Sequence, residues 1–161
     1  MVIVVMGVAG AGKTTVGRQL AETLGWEFVE GDDFHSAANR DKMRSGIPLT
    51  DADRAPWLAA LRAHIAQCLS AGRNAVLASS ALKASYRDSL RVDPERIRFV
   101  YLKASPELVA ERLATRRGHY MNPSLLPSQF DTLEEPSDAV TVDAALPTTD
   151  IVAAIRLRLH L

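Results

Sequence analysis

Residues 7–15 read Gly7-Val8-Ala9-Gly10-Ala11-Gly12-Lys13-Thr14-Thr15 and follow directly on the apolar run Val2-Ile3-Val4-Val5-Met6. Every fixed position of G-x-x-x-x-G-K-S/T is filled. The pattern brings several backbone N–H groups onto one phosphate. Its glycines keep side chains out of the turn, and the helix that follows aims its positive end at the same point. Gly7, Gly10 and Gly12 permit that turn, and with Val8, Ala9 and Ala11 between them the expected ATP site spans 7–15. Lys13 is expected on the β- and γ-phosphate oxygens and the Thr14 hydroxyl on a bridging Mg²⁺, with Thr15 as a further candidate. A glycine-rich turn that fits by chance would lack the strand before and the helix after.

Outward from the loop, β-branched runs at 2–6, 26–30, 74–79 and 97–102, with a fifth near 140–143, predict strands buried on both faces. Helical patterns fall between them at 13–24, 55–71, 83–91 and 106–116, and another at 151–159 closes the chain. This alternation predicts an α/β class: a three-layer P-loop NTPase fold with a parallel, doubly wound sheet of about five strands and a mobile lid. Two segments break the alternation. Residues 33–56 are polar and carry the turn signal Ser45-Gly46-Ile47-Pro48, and residues 117–136 hold three prolines and little periodicity. Long insertions of this kind are lids or binding loops, so 33–56 is assigned to acceptor binding and 117–136 to the lid. A length of 161 residues without internal repeats fits a single domain.

Composition narrows the class further. Nineteen basic residues balance nineteen acidic ones, which argues against a nucleic-acid binder, since those carry a basic excess or stripe. The run at 2–6 is too short to span a bilayer and has no basic flank, so a cytoplasmic protein without a membrane partner is expected. Cys68, the single cysteine, is read as a buried helix residue.

The second strand ends in Glu30-Gly31-Asp32-Asp33-Phe34-His35, which puts carboxylates at the carboxyl edge of the sheet, where open α/β sheets bind ligands. Phosphoryl transfer to an alcohol gains from a carboxylate that orients the hydroxyl and accepts its proton, the role given to Asp32. Glu30 shares that side of the extended strand and is assigned to the metal through water. Asp33 suits an N-cap of the next helix. No apolar run ending in Asp follows the third strand, which closes Leu77-Ala78-Ser79-Ser80, so outer-sphere metal binding falls to Glu30 or Asp32.

Gly31-Asp32-Asp33-Phe34-His35, Asn39, Lys42-Met43, Ser45-Gly46-Ile47-Pro48-Leu49 and Asp51-Ala52-Asp53-Arg54-Ala55-Pro56-Trp57-Leu58 carry a resemblance to the gluconokinase family. It continues through Ser80-Ala81-Leu82-Lys83, Tyr86-Arg87-Asp88, Tyr101-Leu102, Arg116-Arg117-Gly118-His119 and Gln129-Phe130-Asp131-Thr132-Leu133-Glu134-Glu135-Pro136. The resemblance implies ATP-dependent phosphorylation of D-gluconate at O6 and a homodimer. Departures are Ser36-Ala37-Ala38-Asn39 after Asp33, and Ala11 and Thr14 within the loop.

Gluconate has a carboxylate at one end and hydroxyls along the rest, so its pocket needs a cation and adaptable polar groups. Arg54, Arg87, His35, Asn39 and Lys42 are the candidates, and Arg54 and Arg87 stand equal for the carboxylate. Trp57 is either a pocket wall or core. Arg112 and Arg116, four apart at the end of a helix, are expected to close over ATP and neutralise charge on the transferring group, with Arg117 following them. His119 is either a ligand contact or a plain lid residue. Competing readings are a shikimate kinase-like enzyme, a nucleoside or nucleotide kinase, and a nucleotide-gated binding protein.

Overall fold

Val2–Met6 (β1) is buried along its whole length because it runs through the middle of a sheet covered on both sides. Ile3 and Val5 face one hydrophobic cluster while Val2, Val4 and Met6 face the other. This period of two, apolar on both faces, is what a central parallel strand requires. The computed structural model describes residues 1–116 and 121–161.

The other strands are β2 (Glu27–Glu30), β3 (Ala75–Ala78), β4 (Ile97–Lys103) and β5 (Val140–Asp143). Their order is β2-β3-β1-β4-β5 and every pairing is parallel. Helices α1 (Lys13–Leu24), α2 (Ala37–Arg44), α3 (Asp51–Ser70), α4 (Ala84–Leu90), α5 (Pro106–Thr115), α6 (Leu126–Thr132) and α7 (Thr148–Leu159) complete the described elements, with short 3-10 turns at Gly31–Phe34 and Pro123–Leu125. Buried residues of α1, α5 and α7 pack in the cluster on one face of the sheet, and those of α3 and α4 in the cluster on the other. The fold is three-layered and α/β, as the alternation of elements predicts.

The five expected strands are present, and the elements that differ do so for local reasons. α3 begins at Asp51 rather than at 55 and carries Pro56 inside it. Thr50 accepts from the Asp53 N–H at 3.1 Å and the Asp53 carboxylate accepts from the Thr50 N–H at 2.9 Å. That reciprocal capping box starts the helix ahead of the proline, which a proline-breaks-helix reading misses. α2 is capped by Ser36, whose hydroxyl accepts from the Asn39 N–H at 3.1 Å, and not by Asp33, which lies in the preceding 3-10 turn. α6 and the second 3-10 turn fall within the proline-bearing stretch that showed little periodicity. Cys68 is buried in α3, as expected.

Candidate active site

The phosphate loop leaves β1 and enters α1 through left-handed backbone. Gly12, the N-cap of α1, has φ 99° and Gly10 has φ 78°. A Cβ on Gly10 would lie 3.0 Å from Val109 Cγ1, so neither backbone strain nor space admits a larger residue there. Val8 and Ala11 turn into the core and leave their backbone to the loop. Lys13 folds back over the turn, its Nζ donating to Val8 O at 3.0 Å. Burial holds the Lys13 ammonium below its ordinary pKa, opposed by the nearby Asp32 and Glu30 carboxylates. An anion bound beside it would raise that pKa again. Thr15 is exposed and points to the outer surface of α1.

Thr14 Oγ1 donates to Glu30 Oε2 at 2.6 Å. Burial raises the Glu30 pKa; the Thr14 hydrogen bond opposes that rise and the Asp32 charge adds to it. A hard oxygen pair, one of them a desolvated carboxylate, fits Mg²⁺, which keeps several waters and takes few protein ligands. Among the described residues no group of three or more His, Cys, Asp or Glu gathers into a denser metal cage.

The acceptor side is built on the 3-10 turn at the end of β2. Gly31 sits so close to β3 that a Cβ would lie 2.4 Å from Ala78 O. Its carbonyl accepts from Trp57 Nε1 at 2.8 Å. Arg40 staples the turn from behind, its Nη2 donating to Asp32 O at 3.3 Å and Asp33 O at 3.0 Å. Asp32 thereby faces a cavity of about 370 Å³ that it shares with Lys13, Thr14, Glu30, His35 and Arg54. Among the described residues none donates to the Asp32 side chain, which leaves it to a ligand.

His35 stacks on Trp57, with ring centroids 4.4 Å apart and planes 11° from parallel. Trp57 is thus core on one side and pocket wall on the other. Asn39 is buried and does not line that cavity; its Nδ2 donates to Asp53 O at 2.9 Å and lies 3.4 Å from His35 Nδ1. Because a carbonyl fixes Nδ2 as the donor, His35 Nδ1 is the acceptor and the neutral ring carries its proton on Nε2. Burial lowers the His35 pKa, with Asp32 opposing. Asn39 therefore positions a pocket residue and is not itself a pocket residue.

The two arginines left equal by sequence are separated by the structure. Arg54 lines the cavity, its Nη1 donating to Leu49 O at 2.7 Å and to Tyr86 OH at 3.2 Å. Tyr86 is fixed in turn by its own hydrogen bond to Asp51 Oδ1. Arg87 is 4% exposed and points away, donating to Ala81 O and Leu82 O at 3.0 Å each. It satisfies carbonyls beside Ala81, whose φ of 42° is unusual for a residue with a side chain. Lys42 also turns aside, into an ion pair with Asp53 at 3.0 Å.

Arg112 and Arg116 do not share a face. Arg112 donates from Nη1 to Ala11 O at 3.1 Å and from Nη2 to Ala144 O at 2.6 Å, clamping the phosphate loop from outside the cavity. Arg116 leaves α5 in extended backbone as its C-cap, and it lines the cavity. Arg117 and His119 lie outside the described residues. Tyr86, which stands behind Arg54, carried no role in the sequence, and neither did three polar residues of the cavity wall: Ser80 after β3, and Ser128 and Gln129 on α6. The block beginning Gln129-Phe130-Asp131 marked the last of these without saying what it touches.

The chain matches the AAA domain family over residues 2–134. A gluconokinase of Gluconobacter oxydans (strain 621H) is 55% identical over 136 residues, covering 84% of this chain and 76% of the relative. The thermoresistant gluconokinase of Escherichia coli (strain K12) is 38% identical over 157 residues, covering 95% and 90%. The crystal structure of a gluconokinase from Sinorhizobium meliloti 1021 aligns with a TM-score of 0.87 at 46% identity over 98% of this chain and 90% of that one. A shikimate kinase from Aquifex aeolicus vf5 has a TM-score of 0.63 at 19% identity over 99% and 96%, a likeness of fold alone. The chain belongs to the gluconokinase family.

Proposed function

We propose that the protein transfers the γ-phosphoryl group of ATP to O6 of D-gluconate, giving 6-phospho-D-gluconate and ADP. One observation carries this reading: Lys13 and Thr14 of the phosphate loop open into the same cavity as Asp32, His35 and Arg54. A nucleotide held by the loop N–H groups points its terminal phosphate at that shared space. Lys13 leaves the Val8 carbonyl for the phosphate oxygens, whose charge offsets the burial that weakens its ammonium. Asp32 orients the acceptor hydroxyl and takes its proton as the new oxygen–phosphorus bond forms. Arg54, engaged through Nη1, turns its remaining donors to the acceptor carboxylate, while His35 and Trp57 wall the carbon chain.

Thr14 and Glu30 would hold Mg²⁺, which would supply positive charge to offset that of the phosphates. Arg116 adds positive charge at the transfer site from the cavity rim. Residues 33–56 form the acceptor-binding insertion and 117–136 the lid, within one kinase domain. Arg112 reaches ATP only by way of the loop it clamps. A cytoplasmic homodimer completes the proposal on the strength of the family resemblance; no described helix is long and apolar enough to cross a membrane.

Product analysis tests the reaction. Incubation with Mg-ATP and D-gluconate is expected to give a single phosphorus resonance for a primary phosphate ester on C6, matched by ADP in equal amount. ADP with inorganic phosphate and no ester would refute it.

A further inference from the structure

We propose that Gln129 is a further residue of the phosphoryl-transfer site, a donor to the terminal phosphate of ATP that distinguishes ATP from ADP. The inference rests on the nucleotide reading of the phosphate loop given above. Gln129 Oε1 accepts from the Ala9 N–H at 3.2 Å, a contact between α6 and the phosphate loop across 120 positions of sequence. A backbone N–H can be received only by the amide oxygen, so the contact settles the amide's orientation. Nε2, with two N–H donors, is then the group left to the cavity that Gln129 lines.

Its surroundings say what those donors are for. Ala9 N–H and Val8 O belong to one trans peptide, so Gln129 and Lys13, whose Nζ lies 3.0 Å from that oxygen, hold opposite edges of the same loop peptide, and both line the cavity. The N-terminus of α1 takes the phosphate nearest its axis, and Asp32 stands across the cavity at the acceptor end. The terminal phosphate lies between them, where Gln129 is a wall.

The amide is also held in place before any ligand arrives. Ahead of α6, the Asn122 N–H donates to Met43 O at 2.9 Å; beyond it, the Glu134 N–H donates to Leu82 O at 2.9 Å. Phe130, the next residue, packs on the core cluster of that face. A donor on a segment tied down on either side, with its amide oxygen already engaged, needs little rearrangement to act, the condition under which hydrogen bonds favour a transition state.

The test compares nucleotide affinities in Gln129→Glu and Gln129→Leu, each measured in Mg²⁺ by calorimetry with a non-hydrolysable ATP analogue and with ADP. Gln129→Glu keeps an acceptor for the Ala9 N–H and removes the donor; Gln129→Leu removes both. Both variants are expected to bind the ATP analogue about tenfold more weakly or worse, as loss of a hydrogen bond to a charged group implies. ADP affinity should stay within about twofold, and kcat with D-gluconate should fall more than KM for D-gluconate rises. A merely structural role would weaken both nucleotides together, and that result, or no change in either, overturns the proposal. A wild-type protein that binds neither nucleotide would instead overturn the functional reading itself.

Discussion

Arg54 and Arg87 carry the same charge and both fall in family-like blocks, yet their expected losses differ in kind. Arg54→Ala should raise KM for D-gluconate by about tenfold or more with little change in melting temperature, since its guanidinium faces the cavity. Arg87→Ala should leave that KM alone and cost about 1–3 kcal/mol of stability, because two carbonyls lose their buried donor. Steady-state kinetics beside denaturant unfolding separates them; a raised KM from Arg87→Ala would return that residue to the pocket. Glu30 and His35 give the pH dependence. Burial raises the Glu30 pKa above its ordinary 4.5, so the folded protein holds that proton more tightly than the unfolded chain, and stability falls as pH rises from 4.5 through the raised value. Burial of the ionised form therefore works against folding. Glu30→Gln is therefore expected to raise the melting temperature of the ligand-free protein at pH 7 while lowering Mg-dependent turnover, and a lower melting temperature would contradict this account of the site. His35 runs the other way: burial lowers its pKa from 6.5, so stability is lost as pH falls through 6.5 toward the lowered value. Thermal melts of His35→Gln should show less of that acid-side loss than the wild type. At this scale the sequence named the residue types well and their directions poorly. While Arg54 stood level with Arg87 among the family-like blocks, the cavity positions of Asp32, Glu30 and His35 followed from where a strand ends. Arg87, Lys42 and Asn39 did not, because position on a short helix leaves open whether a side chain turns to the cavity or to a neighbouring backbone.

Among the elements, α1 and its loop were legible to the residue, since a glycine pattern with positive φ leaves few alternatives. α3 was legible except at its start, where Thr50 and Asp53 cap the helix ahead of Pro56. Thr50→Ala is expected to cost about 1 kcal/mol in chemical denaturation. It should also disturb Arg54, one turn into the helix that this cap positions. α5 ends differently from the expectation, and its two arginines divide accordingly. Arg112 clamps loop carbonyls, so Arg112→Ala should weaken ATP and ADP alike and lower stability. Arg116 stands at the rim, so Arg116→Ala should reduce kcat by far more than it weakens ATP binding. Equal losses in kcat and affinity for Arg116→Ala, or none, would remove it from the transfer step. The helical register suggested a shared face for this pair; the extended backbone at Arg116 is what separates them, and no periodicity encodes that break.

For the whole molecule, the sheet order turns about β1, with β3 and β2 to one side and β4 and β5 to the other, and the cavity opens at the carboxyl ends of β1 and β2. This is where open parallel sheets place their ligands. Alternation of strand and helix made that architecture readable. What it could not supply was the contact between distant segments, such as Ala9 with Gln129 or Asn122 with Met43, because each partner alone is an ordinary polar residue. The fold supports many chemistries, so the acceptor is settled at the site and not by the sheet. The most direct test is Mg-ATP-dependent ADP release by the purified protein against D-gluconate, other sugar acids, shikimate, nucleosides and no acceptor, run beside Asp32→Asn. Stimulation by D-gluconate that Asp32→Asn reduces by about 10²-fold or more is the result predicted. Stimulation by shikimate or a nucleoside instead, or the same slow hydrolysis whatever is added, would contradict it.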